Sequence, residues 1–543
     1  MKKKDSIIKN IDWIAVAFGI ALLLTFFGFT MAMPEKMTSG LDTASNFVTG
    51  NLGFYFVLLA IVVLIYNCWL IFSKYGEIRL GKEKPMYSYF GWLSMIFCAA
   101  MGATILYWSS IEWVYYVTAP PMGLEAESQE AYDIAVAYSF FHWGIPAWSI
   151  YAVGAIPFAY RHFLRKKEGL NLQHACEGVL GKRTDGLLGE VISIIFVFGT
   201  LGGLVMSFGA GIPMIRNNLH NLVGTPETFM MTFILVICVT AVFTWSAVSG
   251  IGKGIQVLSK LTAYICLVLV GIFLIFGHGI FALDNTVQSI GTMIDNFIPM
   301  LFYLDPIGQS GFPQDWTIFY WAWWIGLAPV MWIFIAKISS GRKIRDVIIT
   351  VMVAGTAGSI LFFGVISNYG IYEQLFGSLD IISILSNNSA EQAISSIVSS
   401  LPGGMIVLTL WMITSFILMV TTMDSASFTL GASTMKQLGV HKDPPTPYRV
   451  FWAAAVTIIP LCLLYANANI NIFKSVLIIS AIPVSICILM AVISCTKWLF
   501  EDYGKKTRAE IIEEFSLKKN ESPDVIVETK NDAILNAQQL EEK

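Results

Sequence analysis

The chain has 543 residues, of which 56% are apolar and 13% are charged, and its mean hydropathy is +0.67. This composition excludes a soluble globular protein; with 44 glycines and 16 tryptophans it is typical of a helical membrane protein that crosses the bilayer repeatedly. The net charge of −3 indicates little about partners, and no nucleic-acid partner is expected. The eight cysteines form no CxxC pair and are interpreted as small apolar side chains.

Apolar runs long enough to cross a bilayer, which takes about 20 helical residues, recur along the whole chain. They are called spans one to twelve and begin near Trp13, Leu52, Tyr89, Asp133, Leu188, Phe229, Ile255, Trp316, Ile344, Gly403, Val450 and Ile472. Lysine and arginine precede span one and follow each even-numbered span, whereas the other loops are poor in base. The positive-inside rule therefore predicts a cell-membrane protein with both termini in the cytoplasm.

Three segments do not read as simple spans. Residues 170–182 predict a short interfacial helix or re-entrant piece on the cytoplasmic side, and residues 284–304 predict a helix along the outer surface. The tail from Glu501 onward is charged and contains the helix-forming stretch RAEIIEEF. We interpret the tail as a cytoplasmic extension that is partly disordered or regulatory.

Two spans carry helix-weakening residues at related positions. Span three has a run of small residues at 98–104, and span eight contains Gly326 and Pro329. These spans lie five apart, which predicts two five-helix units that each begin with a broken helix. Matching broken helices in two halves indicate a binding site at the membrane midplane of a transporter. The alternative is that the small residues only allow close helix packing.

The tryptophan-rich start of span eight reads WTIFYWAWWIGLAPVM and has no charge. At 3.6 residues per turn, Trp316, Tyr320 and Trp323 share one stripe. Such a stripe is either lipid-facing or one wall of an aromatic box for a cation, which each ring attracts by roughly 0.5–2 kcal/mol. Spans three and four contribute further rings at comparable depth: Tyr107, Trp108, Tyr115, Tyr116, Trp143, Trp148 and Tyr151. Convergence of three spans favours the box, with core packing as the alternative for each ring.

Polar residues inside the spans are the other candidates for function. Glu112 is the carboxylate of span three and either binds a cation, carries a proton or accepts hydrogen bonds from helix ends. His142 is interpreted as a hydrogen-bonded structural residue. In span ten, Thr421 and Thr422 either offer hard oxygen ligands to sodium or bond back to their own helix. Lys260 of span seven is an intramembrane cation that could snorkel to the cytoplasmic end.

The chain resembles the betaine/carnitine/choline transporter family from about residue 12 to residue 498. The motifs that carry the resemblance are ILYWSSIEWVYY, APPMGLE, AYSFFHWGIPAWSIYA, MLFYLDPIGQSGFPQDWTIFYWAWW and ISSGRKIRD. The resemblance implies an all-α polytopic membrane protein with twelve transmembrane helices, often assembled as a homotrimer. It also implies a substrate with a quaternary ammonium group, such as glycine betaine, choline, carnitine or γ-butyrobetaine. The sequences of spans three and eight most resemble those of the carnitine/γ-butyrobetaine exchangers.

The resemblance also implies how the chain is divided. A cytoplasmic N-terminus (1–12) and two leading helices (13–87) precede a first five-helix repeat (88–283). An outer surface helix and loop (284–314) then leads to a second, inverted repeat (315–499) and a cytoplasmic tail (500–543).

The substrate site that the resemblance implies consists of seven side chains. They are Tyr115, Trp143, Trp323 and Trp324 around the ammonium group, Met331 near the carboxylate, Trp316 at an outer or transient site, and Tyr151 as a further aromatic. No residue is assigned a catalytic role, because phosphate loops, HExxH, GxSxG and paired metal-ligand spacings are missing from the sequence.

The resemblance implies a sodium site as well. Its ligands would be Thr421, Thr422 and backbone carbonyls near Ala99 and Met101. Two departures bear on it: span three reads AMGAT where sodium-coupled members have GxGxG, and Thr262 stands where the exchangers place an arginine. The chain thus combines exchanger-like substrate motifs with a symporter-like ion site.

The sequence therefore predicts a secondary active transporter of quaternary-ammonium compounds, with sodium as coupling ion and no cofactor. Sodium-independent exchange of betaines is the alternative mechanism. Two other interpretations stay open: a membrane osmosensor or receptor that binds betaine without flux, and a transporter of an ordinary amino acid.

Overall fold

The computed structural model of this chain describes residues 10–81, 83–167, 169, 171–248, 252–436, 438 and 444–516, with backbone alone over 246–248 and 252–259. Among these residues the chain is helical, and its β pairing is confined to two isolated bridges, Ile11 with Met435 and Arg79 with Lys343. The N-terminal lysines and the tail after residue 516 lie outside the described residues.

The first seven spans are built from nine helices. They are Trp13–Ala32 and Pro34–Phe72 for spans one and two, Tyr89–Met101 with Thr104–Thr118 for span three, Gln129–His142 with Ile145–Ala159 for span four, and Leu187–Val223, Phe229–Val248 and Gly252–Phe276 for spans five to seven. A π-helical turn, Tyr160–Leu164, follows span four.

The last five spans contain several π-helical turns. Span eight is Pro313–Ile318 (π) and Phe319–Ile338; span nine is Ile344–Ile349, Thr350–Ala354 (π), Gly355–Phe362, Phe363–Ser367 (π) and Asn368–Leu375; spans ten to twelve are Gly404–Ser433, Thr446–Ala455 with Ile458–Tyr465, and Ile470–Tyr503.

Shorter helices connect the spans. They are Lys74–Glu77 (3-10), Leu172–Ala175, Glu177–Leu180, Gly181–Asp185 (3-10), Gly279–Asp295, Phe297–Phe302, Ile381–Asn387, Ala390–Ser399 and Arg508–Glu514. Helices within 172–185, within 284–304 and in the RAEIIEEF stretch are thereby confirmed. The interfacial or re-entrant placement of the first segment and the outer-surface placement of the second remain predictions.

Fewer described helices are long and apolar enough to cross a bilayer than the twelve predicted spans. In the part of the chain that is described, 8 helices are long and apolar enough to cross a bilayer, or 10 if two bent pairs each form one span. Span four falls short because it is cut at Trp143 and Gly144 into helices of 14 and 15 residues. The count of twelve, the sidedness and the division into repeats remain predictions.

The predicted break in span three is confirmed. Its first helix ends at Met101, its second begins at Thr104, and the two meet at an angle of 59°. Gly102 adopts φ +55°, a left-handed conformation that favours glycine, and a Cβ there would lie 2.9 Å from the Thr422 hydroxyl. The break therefore depends on a residue without a side chain, both for its backbone and for its contact with span ten.

The predicted break in span eight at Gly326 and Pro329 is wrong. The helix Phe319–Ile338 passes through both residues without interruption. A proline removes one backbone hydrogen bond, but neighbouring helices in a membrane bundle can compensate for that loss. The irregular part of span eight is its π-helical start at Pro313–Ile318. Gly326 instead provides a close contact, because a Cβ at Gly203 of span five would lie 2.8 Å from its carbonyl carbon.

Span two also begins earlier than predicted, at Pro34 rather than near Leu52. Proline at the first helical position starts a helix readily because its missing N–H would have no partner there. The polar residues 34–51 thus extend the helix to 39 residues and add Asp42 to the surroundings of span eight.

Span eight lies at the centre of the bundle. Its most apolar 18-residue window is 100% buried inside the protein, against 28% for span one and 39% for span two. It packs against spans four, five and twelve. The tryptophan-rich stripe is therefore enclosed by protein, and the lipid-facing interpretation of that stripe is excluded.

Candidate functional site

Four aromatic side chains of spans four and eight form what we call the inner aromatic group: Trp143, Tyr151, Trp323 and Trp324. The Trp143 ring lies 5.4 Å from Trp323 and 5.9 Å from Trp324, edge to face in both pairs. Tyr151 lies 4.6 Å from Trp324. Trp143 owes its position to the gap in span four, since it is the residue at which the first helix ends. Of the three spans whose rings were predicted to converge, spans four and eight bring theirs together, and the role of these rings in substrate binding remains a prediction.

The Trp143 indole is oriented by the carboxylate of span three. Its Nε1 donates a hydrogen bond of 3.0 Å to Glu112 Oε2, and the Tyr320 hydroxyl donates to the same oxygen. Glu112 is fully buried, and its other oxygen has no partner among the described residues. Glu112 therefore accepts hydrogen bonds from side chains of two other spans, not from helix ends, and holds one wall of the inner aromatic group in place.

His142 occupies the next layer of the same network. Its Nδ1 pairs with the Tyr116 hydroxyl at 2.8 Å and its Nε2 with the Thr317 hydroxyl at 3.0 Å. Both ring nitrogens are thus used in linking spans three, four and eight. The hydrogen bonding expected of His142 is confirmed, and its structural role remains a prediction.

Tyr115 and Trp316 lie in a second cluster, the outer aromatic group, which also contains Trp108 and Phe319. Tyr115 is 5.3 Å from Trp316 and 6.4 Å from Trp108. Among the described ring pairs, Tyr115 contacts no member of the inner aromatic group. Tyr320 stands between the groups, 6.4 Å from Trp316 and 5.6 Å from Trp143. The structure therefore separates Tyr115 from the three tryptophans with which the resemblance associates it.

The outer aromatic group lines a cavity of about 310 Å³, called the outer pocket, on the side predicted to be extracellular. Its walls come from spans two, three, eight and twelve. They include Asp42, Asn46, Trp108, Tyr115, Asp315, Trp316, Phe319, Asn471 and Lys474. The pocket is large enough for a small zwitterion and combines aromatic faces with charges of both signs.

Three tryptophans around the two groups keep an unused hydrogen-bond donor. The indole N–H groups of Trp108, Trp323 and Trp324 are buried and have no acceptor among the described residues. Buried donors normally have a partner, so an orphaned donor needs an explanation. Acceptor atoms of a bound substrate could provide one at these positions.

Met331 lies deeper along span eight. It is buried and follows Trp324 by seven residues, so it shares a helix face with that ring about 10 Å further along the axis.

The candidate sodium ligands of span ten meet the break of span three. The Thr422 hydroxyl lies 3.1 Å from the Leu418 carbonyl of its own helix and 3.5 Å from the Cys98 carbonyl. Thr421 donates to Leu418 O at 2.8 Å. Both hydroxyls thus bond back to their helix, and only Thr422 also faces span three. Of the predicted carbonyls near Ala99 and Met101, Met101 O accepts the Thr104 hydroxyl.

Lys474 is the functional candidate that sequence reasoning missed. It lies in span twelve, 8% exposed, with its ammonium 3.9 Å from the Trp316 ring centre. A single lysine four residues inside an apolar run is a detectable signal, since intramembrane cations are rare and usually face the protein interior. Lys260, by contrast, is half-buried near the start of span seven.

Comparison with known proteins agrees with this architecture. Residues 14–504 match the family described as "BCCT, betaine/carnitine/choline family transporter". The chain is 35% identical over 452 residues to a carnitine transporter of Acinetobacter baumannii, covering 83% of this chain and 82% of that protein. It is 32% identical over 523 residues to the glycine betaine transporter OpuD of Bacillus subtilis, covering 95% and 98%.

A third relative is the uncharacterised transporter YeaV of Escherichia coli, 34% identical over 448 residues, which are 82% of this chain and 92% of that protein. The match extends over both leading helices and all later spans, so it includes the inner and the outer aromatic group. An all-helical chain rich in membrane-spanning helices, matched over almost its full length, belongs to the betaine/carnitine/choline transporter family and is a polytopic membrane transporter.

Proposed function

We propose that this transporter takes up trimethylammonium zwitterions of the betaine and carnitine type, driven by sodium. The inner aromatic group carries the proposal. Three indoles and a phenol from two spans converge in the centre of the bundle, and Glu112 fixes one of them by hydrogen bonding. Enclosed aromatic faces attract a quaternary ammonium ion by about 2 kcal/mol or more per ring.

The remaining parts of the site suit the other end of such a substrate. Trp323 and Trp324 supply buried N–H donors that have no acceptor in the described part of the chain, which a carboxylate could use. A methylated nitrogen offers no hydrogen, so the rings recognise it without needing acceptors. A primary amine would lose its hydrogen bonds to water against these apolar ring faces, which disfavours an ordinary amino acid.

Sodium coupling is supported by the junction of spans three and ten. Sodium prefers oxygen ligands, and the Thr422 hydroxyl lies beside the interrupted backbone at Cys98 and Gly102. An ion held there would bridge a broken helix and its neighbour, so its binding would affect how the two bundles move. Inward movement of one sodium ion contributes about 2.3 kcal/mol per 100 mV of membrane potential.

Uptake of labelled glycine betaine and carnitine into proteoliposomes tests the proposal. We expect accumulation that requires an inward sodium gradient and is inhibited by methylated ammonium compounds but not by primary amines. Accumulation that ignores sodium but rises with preloaded substrate would establish exchange instead. Saturable binding without any flux would indicate a receptor, and would contradict the proposal.

The sodium site has its own test. Thr422→Val removes the hydroxyl at nearly constant volume, and we expect the sodium concentration for half-maximal uptake to rise by at least about tenfold. Thr409→Val is the matched control, because Thr409 is a half-buried residue of the same helix whose hydroxyl donates to Met405 O. Unchanged sodium dependence in Thr422→Val would refute this ion site while leaving the substrate proposal intact.

The location and assembly are part of the proposal. The base-rich loops support insertion in the plasma membrane with both termini in the cytoplasm, and the family resemblance supports a homotrimer. Protease accessibility of tags at each terminus in sealed, right-side-out vesicles tests the orientation; cleavage from outside would contradict it. Chemical cross-linking in the membrane tests the assembly, and a monomer band alone would exclude the trimer.

A further inference from the structure

The outer pocket already contains a cation that belongs to the protein. The Lys474 ammonium lies 3.9 Å from the ring centre of Trp316, 4.5 Å from that of Phe319 and 5.5 Å from that of Trp108. Three rings of the outer aromatic group thus surround it from spans three and eight. This is the arrangement that attracts an ammonium ion to aromatic faces.

The charges around Lys474 are not balanced by a close ion pair. No salt bridge is found between Lys474 and a described carboxylate, and the lysine is 8% exposed. Asp42 and Asp315 also line the pocket, but both are exposed. A buried cation normally pairs with an anion, so the pocket has a buried positive charge beneath an acidic entrance. The unpartnered indole N–H of Trp108 adds a second donor to the same walls.

We propose that Lys474 recognises the carboxylate of the substrate in the outer pocket, and that it makes this transporter select zwitterionic betaines over cations without a carboxylate, such as choline. The inference rests on the proposed function and adds a specificity-determining residue to it. A zwitterion brings an anion to Lys474 and a methylated ammonium to the rings and aspartates. Lys474 can then leave the ring faces for a charge-assisted hydrogen bond.

A cation without a carboxylate meets the opposite situation. It must compete with the tethered ammonium for Trp316 and Phe319, and it brings no anion to compensate Lys474. Like charges a few ångströms apart repel strongly where water is excluded. Selectivity therefore arises from a repulsive element as well as from an attractive one.

Competition against labelled glycine betaine uptake in proteoliposomes tests the inference. Choline and glycine betaine methyl ester share the trimethylammonium group but have no carboxylate charge. For the wild type we expect both to inhibit at least about tenfold more weakly than glycine betaine. Equal inhibition by the ester and the parent compound would overturn the inference without any variant.

Variants of the lysine assign the effect to this position. In Lys474→Gln we expect the preference for glycine betaine over its ester to fall by about tenfold. Choline should inhibit Lys474→Gln more strongly than it inhibits the wild type. Lys474→Arg keeps the charge and should keep the preference. Lys497→Gln is the matched control, because Lys497 is an exposed lysine of the same helix that donates to Gly178 O.

The outcomes separate this inference from the proposed function. If wild-type protein transports no betaine, the proposed function fails first. If it transports betaine and Lys474→Gln retains the wild-type preference, only the role of Lys474 is refuted. If Lys474→Gln does not fold, judged by gel filtration in detergent, two measurements still test the inference. They are the preference of Lys474→Arg for glycine betaine over its ester and the same comparison in the wild type.

Discussion

At the scale of single residues, the proposed site combines aromatic rings for the ammonium group with polar side chains that hold these rings in place. Trp143 is a clear case, because one edge faces Glu112 and its ring meets Trp323 and Trp324. A ring positioned in advance loses little entropy when substrate binds. The geometry of the inner aromatic group therefore depends on Glu112, which lies outside that group.

Removing a ring of the inner aromatic group should remove binding. We expect Trp324→Ala to raise the KM for glycine betaine by at least about 30-fold, the factor that corresponds to roughly 2 kcal/mol of desolvated cation–π attraction. Trp324→Phe keeps an aromatic face and should raise the KM much less. Initial uptake rates over a wide range of substrate concentration measure the effect, and wild-type kinetics in Trp324→Ala would refute the inner site.

Removing the acceptor for Trp143 should act on binding through its orientation. In Glu112→Leu the buried donors of Trp143 and Tyr320 lose their shared acceptor, at about 1–3 kcal/mol each. We expect a lower thermal midpoint together with a raised KM. Glu112→Gln retains an oxygen acceptor, so its thermal midpoint and its KM should lie between those of wild type and Glu112→Leu. A lower midpoint with an unchanged KM would show that Glu112 stabilises the fold only.

At the scale of helices, close contacts without side chains position the two spans that form the site. Gly203 of span five meets Gly326 of span eight, so that the two backbones touch two residues after Trp324. Membrane helices approach this closely only where small residues line the contact. Gly326, which suggested a broken helix, therefore serves helix packing, while the helix Phe319–Ile338 is continuous.

A methyl group at this crossing should disturb the site. In Gly203→Ala the new Cβ would lie 2.8 Å from the carbonyl carbon of Gly326 and 2.9 Å from its oxygen, and backbone atoms cannot rotate away. Overpacking of this kind costs about 1–3 kcal/mol. We expect a lower thermal midpoint and slower betaine uptake. Gly271→Ala, where no atom lies within 4 Å, should retain wild-type behaviour; equal effects of both variants would contradict the role of the contact.

The helices of this fold could be predicted from the sequence more readily than their arrangement in space. Long apolar runs, a glycine in a run of small residues and a charged helix-forming tail are local patterns, so the spans, the break near Gly102 and the helix Arg508–Glu514 were predictable. Distances between spans are not local. Tyr115 and Trp143 occur at matching depth in neighbouring spans, yet the side chains between them decide that Tyr115 joins Trp316. For the same reason Lys474 was visible as an unusual lysine but not as the cation over Trp316.

At the scale of the whole molecule, a buried carboxylate on the side predicted to be cytoplasmic joins three distant parts of the chain. Glu77, just after span two, accepts hydrogen bonds from Lys343 at 2.9 Å, Arg345 at 2.7 Å and Arg508 at 2.8 Å. Lys343 directly precedes span nine, Arg345 lies in the first turn of that span, and Arg508 begins the helix of the tail. Lys74 strengthens this junction by donating to the carbonyl of Gly504 at 2.8 Å.

The pKa of Glu77 shows the strength of the junction. Burial alone would raise the pKa of this carboxyl, but hydrogen bonds from Lys343 and Arg508 and the charges of Lys343 and Arg345 hold the pKa below its ordinary value of 4.5. Since the pKa is lowered in the folded state, the carboxylate stabilises the protein at pH values above 4.5. That contribution is lost only as the pH falls through the lowered value.

Neutralising Glu77 should loosen the tail without touching the substrate site. Glu77→Gln leaves three cations without their shared anion; because these cations are 25–50% exposed, we expect a loss of about 2 kcal/mol rather than the larger cost of a fully buried pair. Thermal unfolding in detergent at pH 7 should show a lower midpoint, and trypsin should cut sooner after Lys505 or Lys506. Glu83→Gln removes an exposed carboxylate of the same loop and should behave as wild type.

The pH dependence of the Glu77→Gln effect provides a second test. Between pH 7 and pH 5 the difference in thermal midpoint between Glu77→Gln and wild type should stay constant, and it should shrink below pH 4.5 as wild-type Glu77 takes up a proton. A difference that already disappears near pH 6 would mean that Glu77 is not held ionised by these cations.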